Sequence, residues 1–111
     1  MLTVDKLSNE EQRKKFLPQM MNYDKIGAFA LTEPDNGSDA GHIKTTAKKV
    51  EGGYLLTGQK RWISISDIAT FVVVWAKNEA EGNKIQSFLV EKPCKGFVVK
   101  NMKNKFSLRM V

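Results

Sequence analysis

The strongest constraint on the fold is a series of short β-prone runs, separated by turn-forming residues, that starts at residue 26. Three consecutive valines lie within residues 70–76, and β-branched runs of this kind favour strands. Turn formers are densest at residues 33–41, which predicts a shaped loop. Six or seven short strands at regular spacing are typical of a small barrel or sandwich. We predict strands at residues 26–32, 43–50, 54–57, 60–65, 70–76, 85–90 and 97–100, and the start of another at 106–111.

The segment before these runs, residues 6–21, has a helical pattern. Ser8 is the predicted N-cap, and Glu11 three residues later completes a capping box. Pro18 is expected to end or bend the helix. The predicted fold class is therefore mainly β, a small antiparallel β-barrel or sandwich preceded by a short helix. We expect the apolar patch of this helix to be exposed, together with an unpaired edge at 106–111, and to favour self-association. The patch consists of Phe16, Leu17, Met20 and Met21.

Composition excludes several classes of protein. The 111 residues suffice for one domain, and no apolar run approaches the ~20 residues that cross a bilayer. Cys94 is the only cysteine, so no internal disulfide can form and a reducing compartment is favoured. His42 is the only histidine and has no partner at metal-ligand spacing, so no metal site is expected. The net charge of +6 fits a phosphate-binding patch or, as we prefer, a solvated face.

Two segments have the residue types of a binding site. Residues 29–39 contain a loop in which Pro34 restricts the backbone and Gly37 allows it to turn. In such a loop, backbone N–H groups and the hydroxyls of Thr32 and Ser38 can face one ligand. In residues 58–64, Trp62 is followed two residues later by Ser64, and on an extended chain these side chains share a face. A planar cofactor could lie against the tryptophan and bond to the serine. Each segment alone also fits a common turn or a core aromatic.

Eight short stretches carry a more specific signal: residues 10–12, 15–18, 31–34, 37–39, 58–60, 62–64, 88–91 and 105–109. In composition, order and spacing they resemble the middle β-domain of the acyl-CoA dehydrogenase and acyl-CoA oxidase family and the helix before it. The resemblance covers nearly the whole chain. It looks closest to the branch that holds glutaryl-CoA dehydrogenase and plant-type short-chain acyl-CoA oxidase.

The resemblance implies an FAD site formed by the two segments. Thr32 would lie near the isoalloxazine ring, and Trp62 would pack beside it. Ser64, where most family members carry threonine, would hydrogen-bond near flavin N5, and Ser38 would also contact the acyl-CoA. The full expected set of FAD-binding residues is Phe29, Ala30, Leu31, Thr32, Gly37, Ser38, Trp62, Ile63 and Ser64.

The resemblance also implies the family's reaction, desaturation of an acyl-CoA thioester to the trans-2-enoyl-CoA. A carboxylate base removes the α-proton while a hydride leaves the β-carbon for the flavin, which carries the difficult chemistry. The family's base lies on a helical domain after the β-domain, so we assign no catalytic residue here and give Glu33 a structural role. We expect residues 1–22 to end a helical domain, and residues 23–111 to form the flavin-binding middle domain, cut short. The isolated chain is accordingly expected to be inactive.

Further expectations come from the same resemblance. The parent enzyme would be a homo-oligomer, a tetramer, that takes an acyl-CoA substrate and has no nucleic-acid or membrane partner. The sequence leaves dehydrogenase and oxidase open. An oxidase would be peroxisomal and a dehydrogenase would lie in the mitochondrial matrix. The peroxisome is the preferred expectation, although no targeting signal is recognised.

Two hypotheses from other classes stay open. A basic chain with small strands that carry aromatic residues also fits an oligonucleotide-binding barrel, although both motif segments would then be unexplained. The chain could instead be a non-catalytic, truncated relative that acts as an interaction module. Retained flavin favours the enzyme hypothesis, and salt-dependent binding of single-stranded DNA favours the barrel.

Overall fold

The structure is a computed structural model that describes residues 1–108 and 110. Two helices precede a five-stranded sheet, and short 3₁₀ turns follow β1 and β4. The elements are α1 Leu2–Leu7, α2 Glu10–Met21, β1 Gly27–Ala30, the turn Ala40–His42, β2 Thr46–Val50, β3 Gly53–Thr57, β4 Phe71–Asn78, the turn Glu79–Glu81 and β5 Lys84–Glu91.

Strand β4 organises the sheet because both of its edges are paired. It pairs with β5 in antiparallel fashion along all of its length. Its other edge pairs in parallel with β1 over Phe71–Val74 and with β2 at Lys77 and Asn78, and β2 continues into the β2–β3 hairpin. Buried parallel strands read as continuous apolar runs, as this one does. The mainly β fold with a preceding helix is therefore confirmed, but the sheet is mixed and open rather than a closed antiparallel barrel.

Two predicted strands are wrong, and a third has no strand in its described part. Residues 60–65 form turns because Trp62 and Ile65 have left-handed backbones, with φ of 63° and 56°, which no strand accommodates. Residues 97–100 are irregular and join no ladder. Residues 106–108 are not a strand either, whereas Arg109 and Val111 lie outside the described residues. The described part of the chain thus contains five strands, fewer than expected.

The start of the main helix is shifted by one residue from the prediction. Asn9 is the N-cap, not Ser8, and its side chain accepts from the Gln12 backbone N–H at 2.8 Å. The Gln12 side chain returns a bond to the Asn9 N–H at 3.2 Å, so the capping box is Asn9 with Gln12. Pro18 does not end the helix, which continues to Met21. Tertiary packing of the neighbouring apolar side chains outweighs the hydrogen bond that proline removes.

The predicted exposed helix patch is largely buried. Phe16 is only 3% exposed, and its ring centroid lies 4.8 Å from that of Phe71 on β4. Met21 alone of the four patch residues is left out of this packing and is 67% exposed. The cluster that joins the helices to the sheet contains Val4, Phe16, Phe71 and Val73, with Leu17, Met20 and Leu89 against it.

The opposite face of the sheet has a second core that supports the loops. Its buried members are Ala28, Ala30, Ala69, Val72 and Val74. Ile63 and Ile65 pack against this cluster although they belong to the irregular segment 58–65. The small side chains of β1 leave room for them. Contacts with this core therefore hold the segment against the sheet, although it pairs with no strand.

Replacement of Phe16 by alanine tests the helix–sheet packing. Loss of a buried phenylalanine leaves a cavity, so Phe16→Ala is expected to lower the free energy of unfolding by roughly 3–5 kcal/mol. Met21→Ala, a substitution at the exposed end of the same helix, is the matched control and is expected to cost less than ~0.5 kcal/mol. Urea titrations measure both values. Equal losses for the two variants would contradict this packing.

Candidate functional site

The loop after β1 starts where the chain leaves the sheet at Ala30. Ala30 is buried in the core, so only its backbone is available to a ligand. The next residues, Leu31 and Thr32, are half-buried. The Glu33 N–H donates to the Asn36 carbonyl at 3.0 Å, which closes a turn. Gly37 and Ser38 are exposed beyond that turn.

The two segments singled out in the sequence lie against each other. The Arg61 N–H donates to the Thr32 carbonyl at 2.9 Å. The ammonium of Lys60 donates to the Leu31 carbonyl, also at 2.9 Å. Two consecutive carbonyls of the first loop are therefore held by the second segment. The loop that bears Thr32 and the segment that bears Trp62 are thus in direct contact.

A buried carboxylate, that of Glu33, underlies this contact. Glu33 is 4% exposed, and its Oε1 accepts from the Lys60 ammonium and the Thr45 backbone N–H, each at 2.9 Å. The same oxygen accepts from the Thr45 hydroxyl, and Oε2 accepts from the Lys44 backbone N–H. The structural role expected for Glu33 is therefore its observed role. Lys60 and Thr45 are partners that the sequence did not reveal, although Lys60 lies in a recognised motif.

Hydrogen bonding decides the charge state of this carboxylate. Desolvation by burial raises the pKa of Glu33, but the bonds from the Thr45 hydroxyl, the Lys44 N–H, Lys60 and the Thr45 N–H together outweigh it. The net result lowers the pKa of Glu33 from 4.5 to about 2. Burial also lowers the pKa of Lys60, and Glu33 opposes that change. The pair is ionised at neutral pH and bonded on both sides, which a buried ion pair requires.

Gly58 allows the second segment to approach this cluster. Its φ is +154°, and a Cβ at this position would lie 2.4 Å from the Thr45 hydroxyl oxygen and 2.7 Å from the Thr45 Cα. No real Cβ makes such contacts, so any side chain would push the segment away from Thr45. Glycine is required here for close backbone approach.

The outer surface of the site combines an exposed aromatic ring with hydroxyls. Trp62 is 52% exposed and has a left-handed backbone. Ser64 is exposed, but the chain around it is not extended, so the shared-face argument for Trp62 and Ser64 does not apply. Ile63 is directed into the core and supports the surface from below. Phe29 is 48% exposed, and its ring centroid lies 6.1 Å from that of Trp75.

Neither a metal-binding cluster nor a membrane-spanning helix is found in the described part of the chain. Residues 1–108 and 110 contain no group of three or more His, Cys, Asp or Glu side chains that could hold a metal ion. His42 lies on the surface with its Nδ1 2.7 Å from an Asp39 oxygen. Within the same residues, no helix has the length and apolarity to cross a membrane.

Comparison with known proteins identifies relatives of the chain. A family model described as "Acyl-CoA dehydrogenase, middle domain" matches residues 28–111. A probable acyl-CoA dehydrogenase of Bacillus subtilis is 50% identical over 90 residues, which are 79% of this chain and 15% of that protein. A mitochondrial 2-methylacyl-CoA dehydrogenase of Solanum tuberosum is 38% identical over 101 residues, which are 89% of this chain and 24% of that protein.

A solved structure shares the fold. The glutaryl-CoA dehydrogenase of Mycobacterium smegmatis in complex with FADH2 superposes with a TM-score of 0.89 at 34% identity, over 97% of this chain and 27% of that chain. The chain thus spans only about a quarter, or less, of the length of these relatives.

The ionised state of Glu33 predicts a dependence of stability on pH. Because folding lowers its pKa, Glu33 contributes stability above about pH 4.5, and this contribution disappears as the pH falls toward 2. The full contribution is on the order of 3 kcal/mol. Urea titrations from pH 7 to pH 2 should show this loss in the parent chain and a shallower one in Glu33→Gln. The exposed control Glu79→Gln should follow the parent curve, and a parallel curve for Glu33→Gln would contradict the assignment.

Replacement of Gly58 tests the close approach to Thr45. Gly58→Ala is expected to destabilise the protein by at least ~1 kcal/mol, because the added methyl group collides with Thr45. Gly53→Ala is the matched control, since a Cβ at Gly53 meets no atom within 4 Å. That control is expected to be neutral or slightly stabilising. Thermal unfolding of both variants measures the difference, and the prediction is wrong if the two melt together.

Proposed function

The chain belongs to the acyl-CoA dehydrogenase middle domain family, and on that premise we propose that it forms the flavin-binding part of an FAD-dependent enzyme that desaturates acyl-CoA thioesters. One observation carries the proposal. The loop of Thr32 and the segment of Trp62 are joined by a backbone hydrogen bond of 2.9 Å, and we propose that their side chains face one ligand. The FADH2 complex of the mycobacterial glutaryl-CoA dehydrogenase supports FAD as the cofactor.

The residues of this surface fit the chemistry of a flavin. A flavin needs an apolar flat contact for its ring, and donors for its ring nitrogens and carbonyls. Trp62 supplies exposed aromatic area, and the hydroxyls of Thr32, Ser38 and Ser64 supply donors. Phe29 is a second exposed aromatic residue, but it lies on the face of β1 opposite Ala28 and Ala30. Asn36 adds a buried amide nitrogen that has no hydrogen-bond partner within the described residues. We therefore divide the expected set into Thr32, Ser38, Trp62 and Ser64 as side-chain contacts, and Phe29, Ala30, Leu31, Gly37 and Ile63 as backbone contacts or support.

Bound FAD would accept the electrons that leave the acyl group. The chain's own residues would orient the ring, with Trp62 beside it and the Thr32 and Ser64 hydroxyls donating to its polar edge. Donors fixed before the reaction stabilise an electron-rich ring without reorganisation. Ser38, exposed at the far end of the loop, would contact the acyl-CoA as well.

The buried carboxylate of the site is unsuitable as the base that removes the substrate's α-proton. A group with a pKa of about 2 accepts a proton poorly near neutral pH. Both oxygens of Glu33 are also engaged in hydrogen bonds. We therefore assign no catalytic residue among residues 1–108 and 110, and propose that residues 23–111 bind flavin while residues 1–22 belong to a preceding helical domain.

The relatives narrow the expectations on reaction and compartment. The curated relatives described above are dehydrogenases, and the potato protein is mitochondrial. We therefore propose a dehydrogenase, in the mitochondrion where the organism has one, and do not retain the preference for a peroxisomal oxidase. A homo-oligomeric parent enzyme remains part of the proposal.

The open sheet does not support the oligonucleotide-binding alternative. That hypothesis needs a barrel with aromatic side chains displayed on its strands. Phe71 on β4 is instead buried between the helices and the sheet, and Phe88 on β5 packs against Tyr54 with ring centroids 5.0 Å apart. The interaction-module alternative expects no flavin binding and is separated by the same experiment.

FAD titration of the chain and of Trp62→Ala tests the proposed function. The parent chain is expected to bind FAD, and loss of the indole is expected to weaken binding roughly tenfold, as for loss of one stacked aromatic contact. The control Tyr23→Ala removes an exposed aromatic residue that precedes the opposite end of β1. Flavin fluorescence gives the dissociation constants. Absence of FAD binding by the parent chain, or equal affinity of Trp62→Ala and the parent, would overturn the proposal.

A further inference from the structure

Arg61 belongs to the segment of Trp62, and its side chain has no role in the site described so far. Its guanidinium carbon is 5.0 Å from the centroid of the Trp62 ring, within the range of a cation–π contact. Its backbone N–H holds the Thr32 carbonyl. The backbone of Arg61 thus joins the two segments, while its side chain covers part of the exposed indole.

The backbone of Trp62 explains how consecutive side chains come together. In an extended chain, neighbouring side chains point to opposite faces. At Trp62 the φ of 63° interrupts this alternation, so that the guanidinium and the indole share one side. Such a backbone is strained for a tryptophan, and it persists only where the surrounding structure holds it in place. Backbone strain of this kind is often found at functional sites. Here the core contact of Ile63 and the bond to Thr32 maintain it.

The positive charge of Arg61 is not neutralised within the described part of the chain. The ion pairs of residues 1–108 and 110 do not include Arg61. Its side-chain N–H groups also form no hydrogen bond to these residues, and the residue is exposed. By contrast, the neighbouring Lys60 is fully engaged with Leu31 and Glu33. An arginine remains charged at every relevant pH.

We propose that Arg61 is a further residue of the flavin site, which holds the Trp62 ring and supplies a fixed positive charge that stabilises the reduced flavin. The inference rests on the proposed function, because the charge acts on a flavin that lies beside Trp62. A nearby cation favours the electron-rich form of the ring over the oxidised form. Arg61 therefore raises the reduction potential of the bound flavin, because it strengthens the binding of reduced FAD more than the binding of oxidised FAD.

The size of the effect follows from linkage between binding and reduction. The ratio of the dissociation constants for oxidised and reduced FAD determines how far binding shifts the reduction potential of the flavin. For one charge near a protein surface we expect a factor of about ten. For a two-electron couple a tenfold change equals about 30 mV.

The test compares Arg61→Gln with Arg61→Lys in the FAD-loaded protein. Arg61→Gln removes the charge and the stacking, whereas Arg61→Lys keeps the charge without the flat guanidinium. Lys14→Gln removes one charge from the exposed side of α2 and serves as the control. Equilibration with a reference dye gives the flavin potential, and titration of apoprotein gives the dissociation constants for both forms of FAD. Thermal unfolding of each apoprotein checks that the fold is kept, and Arg61→Met replaces Arg61→Gln if that variant does not fold.

We expect Arg61→Gln to lower the flavin potential by about 30 mV. The same substitution should weaken the binding of reduced FAD about tenfold more than the binding of oxidised FAD. The flavin potential of Arg61→Lys should stay close to that of the parent protein, and the potential of Lys14→Gln should equal it. A potential unchanged in Arg61→Gln would overturn the inference, and so would equal shifts in Arg61→Gln and Arg61→Lys, or loss of FAD binding by both. Loss of FAD binding by Arg61→Gln alone would support it. A parent protein that binds no FAD would refute the proposed function, which is a separate outcome.

Discussion

The buried carboxylate of Glu33 is the interaction on which the rest of the site depends. It accepts hydrogen bonds from Lys44, Thr45 and Lys60, and so joins the loop after β1, the segment before β2 and the segment after β3. Burial of a charge is costly unless it is paired and hydrogen-bonded, and here both oxygens are satisfied. The same interaction explains the requirement for Gly58, because the segment that carries Lys60 must come within contact distance of Thr45. The cluster thus reinforces the direct bonds from Lys60 and Arg61 to the loop after β1.

The sheet supplies the rigid base that the cluster needs. Strand β4 is paired on both edges, and its two faces contact two separate cores. One core joins the helices to the sheet through Phe16 and Phe71. The other receives Ile63 and Ile65 from below the exposed Trp62. A strained backbone at Trp62 persists only where surrounding contacts fix it. The contacts of the partly buried Ile63 and Ile65 with the core fix the irregular segment on either side of the Trp62 turn.

Residues that decide their structure locally were predictable from the sequence. The valine run of β4, the strand at residues 85–90 and the Glu51–Gly53 reversal follow from β-propensity and turn chemistry, and they are present. The failures have nonlocal causes. Residues 60–65 have strand-like composition, but their contacts with Thr32 and the core impose left-handed backbones. The contact of Lys60 with Glu33 joins residues 27 positions apart, and no local pattern encodes it. The pairing of the two motif segments was expected only through family resemblance, and Arg61 carried no signal because its proposed role depends on the turn at Trp62.

The hydrogen bonds that two loop carbonyls accept affect what kind of ligand the candidate surface can bind. The carbonyls of Leu31 and Thr32 are both occupied, one by Lys60 and the other by Arg61. Each of them therefore already accepts one bond from within the protein, and the donors of the candidate face are hydroxyls and the Arg61 guanidinium. A surface rich in donors has little affinity for a cation, but it complements a ring that becomes more electron-rich during reaction. In this way the hydrogen bonds that join the two loops also contribute to the polarity that the proposed flavin site requires.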